Sequence, residues 1–170
     1  MKTVSKIINF LKILISVFFT VFHQSIEDKI RNEVFGHYAD ILFLLLKSKE
    51  TTDEDSDIRL AANVLMKTAE DPKSFQKALL ETIAEESANG IREICEAVRQ
   101  MYQVELIDVI DDTLPEDEAF KSAIAACDDT AFFFAGCLND ALESQDDEAF
   151  MRILVDRSEV SISMILIFYP

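Results

Sequence analysis

Apolar residues recur along this chain at three- and four-residue intervals. No stretch shows the β-branched alternation of an amphipathic strand. With capping residues as boundaries, this spacing predicts helices over 7–22, 25–33, 37–47, 57–68, 72–86, 88–102, 104–112, 117–127, 130–143, 147–157 and 159–169. Ser87 and Ser158 each precede an apolar-periodic run and read as N-caps. Lys47 to Asp57, KSKETTDEDSD, holds no apolar residue and reads as an exposed linker. The expected fold class is all-α.

The pattern repeats at an offset of about eighty residues. Leu11–Phe22, LKILISVFFTVF, aligns with Ile91–Tyr102, IREICEAVRQMY, placing Leu11 on Ile91, Leu14 on Ile94, Phe18 on Val98 and Phe22 on Tyr102. The same offset carries Ile26 onto Leu106, Asp28 onto Asp108 and Ile30 onto Ile110. Two extra residues then enter near Pro115, after which Tyr38 falls on Phe120. A third partial copy follows, in which Phe150–Val155 matches Phe75–Leu80 and Ser158–Ile165 matches Ser87–Ile94. With five short helices to a unit, the chain is expected to hold the last three helices of one unit (1–48), a linker (49–56), a whole unit (57–128) and the first three helices of another (129–170). The array is thus expected to be truncated at both ends.

Composition narrows the picture. The chain has 170 residues, 49% of them apolar, which is enough for a packed core. Three glycines and three prolines leave room for long helices. Acidic residues outnumber basic ones 32 to 16, for a formal net charge of −16. Such a surface repels nucleic acid and anionic lipid, so contact with an anionic surface requires a bridging cation. Cys95, Cys127 and Cys137 show no CxxC spacing and read as reduced, buried thiols. Residues 1–22 have the outline of a signal peptide, yet Lys12 interrupts the apolar run and no small-x-small cleavage pattern follows. The repeat assigns this segment instead to a core helix. His23 and His37 read as ordinary surface or helix-end residues. No phosphate-binding glycine loop, GxSxG or paired-histidine motif is present, so no enzyme chemistry is expected.

Several segments carry a family resemblance. Asp146–Glu159, DDEAFMRILVDRSE, resembles the annexin segment after the first loop of a repeat; Phe133–Leu142, FFAGCLNDAL, resembles the helix before it. Ser25–Gly36, SIEDKIRNEVFG, resembles the annexin fourth helix and its acidic loop. The polar linker before Asp57 fits the junction between the second and third of four annexin repeats. The resemblance covers nearly the whole chain. It implies a cytosolic protein that associates peripherally with anionic phospholipid membranes through calcium. Loop carbonyls, a carboxylate from a second loop and lipid phosphate would complete the ion's six to eight oxygens.

The resemblance also implies where such sites should lie. In the family the first loop carries Gly-x-Gly-Thr-Asp; here its counterparts are Lys67–Pro72, KTAEDP, and Glu143–Asp147, ESQDD, both without glycine. Glu33 stands at the second-loop carboxylate position of the first copy, whereas Thr113 takes that position in the whole copy, with Asp112 the nearest carboxylate. The implied calcium ligands are therefore Glu33, Glu70, Asp71, Asp112 and Glu116, in sites expected to be weakened or lost. Alternatively, these acids solvate loops and favour helix N-termini. Phe132-Phe133-Phe134 reads as a lipid wedge or as core, and Arg157 as lining a polar channel or as a salt-bridge partner. The rival function is a degenerate annexin scaffold that binds protein partners without calcium. Ile7–Phe22 and Ile162–Tyr169, apolar all round, are expected to promote self-association.

Overall fold

A computed structural model describes residues 19–47 and 57–157. The expected linker, the helix over 159–169, the Ser158 cap and most of the helix over 7–22 lie outside these residues; 19–22 are helical. Nine further helices follow among the described residues: α1 Ile26–Glu33, α2 His37–Lys47, α3 Ile58–Thr68, α4 Pro72–Glu85, α5 Ala88–Tyr102, α6 Leu106–Thr113, α7 Glu118–Asp128, α8 Thr130–Glu143 and α9 Asp147–Arg157. No strand occurs among the described residues.

The boundaries follow from local chemistry. Oxygen-bearing side chains accept the otherwise unpaired amides of first turns. Ser25 accepts from the Asp28 amide and Asp57 from Leu60 at 3.1 Å. Ser87 accepts from Gly90 at 3.0 Å, and Asp129 from Phe132 at 3.0 Å. Pro72 opens α4, where its missing N–H costs nothing. The expected helix over 104–112 begins later, at Leu106. Gln103 ends α5 in the left-handed region at φ +60, and Glu105 then occupies the extended cap position.

Helices α3 to α7 surround one core. Helix α3 packs on α4 and α5, α5 packs on α6 and α7, and α2 lies against α4 and α7. Leu65, Phe75, Ile94, Val98, Ile110, Phe120 and Ile124 are fully buried there. Their spacing on α5 (Ile91, Ile94, Cys95, Val98) is the inward stripe of an amphipathic helix. A smaller cluster forms where α8 meets α9, with Ala135 and Leu138 packed by Phe134, Phe150, Ile153 and Leu154.

Candidate functional site: the acidic loop edge

Two contacts gather the turns at 34–36, 69–71 and 113–117 at a single edge. The turn 34–36, after α1, leads directly into His37. His37 Nδ1 pairs with Asp117 Oδ2, in the turn between α6 and α7, and its ring lies 5.1 Å from that of Phe120. His37 stands at a helix end, as one of its two readings had it, but it is not an ordinary surface residue, since its partner is 80 positions away. The second contact joins the first loop of the α3–α7 stretch to its second. Thr113 Oγ1 donates to the Ala69 carbonyl at 3.3 Å.

Two of the five acidic residues are engaged locally, Glu33 and Asp71. Glu33 is exposed at the end of α1 and pairs with Lys29. Glu70 is exposed in the turn after α3. Asp71 caps α4, accepting from the Ser74 amide at 3.0 Å and the Ser74 hydroxyl at 2.5 Å. The Ser74 hydroxyl, then its amide, hold the Asp71 carboxyl below the usual carboxylate range. Glu116 borders a shallow depression with Gln76 and Pro115. Asp112 faces a different depression, beside Arg99, Gln103 and Glu105. Of the five implied ligands, Glu70, Asp71 and Glu116 belong to the joined loops, Glu33 belongs to the neighbouring loop and Asp112 turns aside.

Phe35 is the residue at this edge that sequence reasoning passed over. It is 78% exposed, between Val34 and Gly36, whose φ of +68 turns the chain. An aromatic side chain between a carboxylate and a glycine was the available signal. The aromatic run 132–134 divides its roles. Phe132 is exposed, whereas Phe134 packs in the α8–α9 cluster. Arg157 stacks on Phe134, with its guanidinium carbon 3.7 Å from the ring centroid, a cation–π contact.

Calcium prefers six to eight oxygen ligands. The edge is suited in kind, since its donors are carboxylates, a hydroxyl and backbone carbonyls. In number it is sparse. The Ala69 carbonyl is taken by Thr113, the Asp71 carboxylate by Ser74 and Glu33 by Lys29. Among the described residues no three histidine, cysteine or acidic side chains converge on one point. The donors are therefore of the kind calcium takes, but the described residues supply too few of them to enclose the ion.

No family profile matches the chain. Annexin D5 from Arabidopsis thaliana is 26% identical over 161 residues, covering 90% of this chain and 51% of that protein. The solved structure of annexin III superposes with a TM-score of 0.76 at 21% identity, over 94% of this chain and 52% of the other. A point mutant of annexin A8 superposes with a TM-score of 0.76 at 20% identity, over 95% and 53%. The chain is annexin-like in sequence and fold. It spans about half the length of the annexins it matches. Within the annexin-like arrangement, the loops joined by Thr113 and Ala69 are those that the resemblance assigns to the first and second loops of one repeat.

Proposed function

We propose that this annexin-like chain is a cytoplasmic, peripheral phospholipid-surface protein that attaches to anionic membranes through its loop edge, with calcium as a weak bridge. The observation that carries this reading is the gathering of loops 34–36, 69–71 and 113–117 at one edge by the His37–Asp117 pair and the Thr113–Ala69 bond. We read residues 57–128 as the whole repeat and the flanking stretches as partial ones. Bound at this edge, calcium supplies positive charge that joins protein oxygens to lipid phosphate, offsetting the net charge of −16. Glu70 and Glu116 are the side chains of the joined loops best placed to hold it, since Asp71 is committed to its helix. With so few committed oxygens, affinity on the order of 10⁻⁴–10⁻³ M is expected, the weak end of calcium sites. Phe35, exposed beside Glu33, inserts among lipid headgroups once the edge is docked.

The test is co-sedimentation with phosphatidylserine vesicles, with calcium and with chelator. Calcium-dependent pelleting is expected, reduced in Phe35→Ala. The chain contains no tryptophan, so Phe35→Trp adds an unobstructed reporter whose emission should shift to the blue on docking. Equal pelleting with calcium and chelator would sink the bridging mechanism. It would favour the second reading, a calcium-independent protein-interaction scaffold, which draws support from the engaged state of Ala69 and Asp71.

A further inference from the structure

The opposite end of α6 carries a different feature. Thr113, at the C-terminus of α6, lies on the loop edge, whereas Glu105 stands just before its N-terminus, about 12 Å away along eight residues. Helix α7 begins beside Asp117 and ends at Asp128, so its far end also leaves the loop edge. There α6, α7 and α8 frame a groove of about 440 Å³. Its floor is apolar, built from Ile107, Phe132, Phe133 and the bare backbone of Gly136. Phe132 is 66% exposed. Its rim is acidic: Glu105, Asp108, Asp128, Asp129 and Asp140 all border it. Arg99 reaches this rim by ion pairs, and Arg92 shares a neighbouring depression with Asp128 and Asp129. Arg99 is shared among Glu96 at 2.5 Å, Glu105 at 2.8 Å and Asp128 at 3.0 Å. No ion pair engages Asp108 or Asp140 among the described residues.

We propose that this groove docks a basic amphipathic helix of a partner protein, seating an apolar anchor against Phe132 and Phe133 and presenting lysine or arginine to the carboxylate rim. An apolar floor flanked by charge of one sign matches the helix-in-groove mode of recognition, in which a large anchor supplies affinity and the rim supplies selectivity. The spread of carboxylates around the rim decides the class of ligand. A ligand with a single cation neutralises one side only, whereas a helix with cations on successive turns reaches several. The groove lies at the end of α6 away from the loop edge, so a surface-attached molecule would still present it.

Gly136 makes the test specific. A Cβ built there meets no heavy atom within 4 Å, so the position has room for a side chain to start, and a leucine there would occupy groove space. The probe is a synthetic helical peptide of about 18 residues, roughly five turns, composed of lysine, alanine and leucine with one central tryptophan. The 170-residue chain has no tryptophan, so the peptide's emission reports binding directly. Saturable binding with a blue shift is expected, weakened in about 0.5 M salt, where charges are screened within a few ångströms. Gly136→Leu should weaken it about tenfold at unchanged net charge, as expected when an anchor site is lost. Asp108→Asn/Asp140→Asn should weaken it about threefold, whereas the remote pair Glu81→Gln/Glu85→Gln should not. The second comparison stands even if Gly136→Leu is unstable. Absence of binding would overturn the proposal. So would equal binding of a peptide with glutamate in place of lysine, or of a single-charged aromatic amine. Insensitivity of binding to both groove variants would also overturn it, showing only general attraction to an acidic protein.

Discussion

Asp71 shows what the acidic residues do one at a time. Its carboxylate accepts from the Ser74 hydroxyl and amide, and these bonds lower its pKa relative to the unfolded chain. A group depressed in the folded state stabilises the fold fully above its unfolded value. That stabilisation is lost as pH falls through the lower, folded value. Removing the hydroxyl by Ser74→Ala should therefore raise the Asp71 pKa towards the ordinary range in a carbon-detected NMR titration, and shrink the share of stability that is lost on acidification. An unchanged Asp71 titration would show that the hydroxyl bond does not form in solution. The capping role was legible in part, because Asp before Pro at a helix start is a local signal. The His37–Asp117 pair was not legible. Nothing within reach of His37 along the chain marks its partner, and only the packing of α2 on α7 brings the two together.

Helix α8 holds an element-scale prediction. Its inward residues Ala131, Ala135, Leu138 and Ala141 are buried, and Gly136 lies on its exposed side. Glycine in a helix interior costs backbone entropy that alanine does not, and here there is room for the methyl group. Gly136→Ala should stabilise the chain by about 0.5–1 kcal/mol, measured as a raised midpoint in urea unfolding. A lowered midpoint would mean that position 136 is closed by something beyond the described contacts. Helices of this kind were read from spacing with small boundary errors, since an amphipathic stripe and its caps are both local. The division of these aromatics, Phe132 and Phe133 to the groove and Phe134 to the α8–α9 cluster, was not. Three adjacent aromatics point in three directions around a helix, and only the positions of α7 and α9 decide which of them is covered.

For the whole molecule, Phe120 is a side chain that ties α2 to the main core. It is fully buried in the main core and lies against the His37 ring. Phe120→Ala should cost about 3–5 kcal/mol, a large share of the 5–15 kcal/mol typical of a whole fold. The exposed Phe35→Ala should change stability by less than about 0.5 kcal/mol while reducing vesicle binding. Chemical denaturation of both variants checks the contrast. Comparable losses would show that Phe35 is covered and cannot serve as a lipid contact.

The sequence by itself determined the all-helical class, the positions of the described helices and the recurrence that relates them. These depend on side-chain periodicity and capping, which act within a few residues. It also marked the acidic loops and the missing glycines. Tertiary structure alone decided that loops 34–36, 69–71 and 113–117 share one edge, that Asp112 turns away from it, and that an apolar groove with a carboxylate rim opens at the other end of α6. The reason is physical. Contacts across 44 or 80 positions arise from how helices pack, and the spacing of residues along a single helix does not encode them.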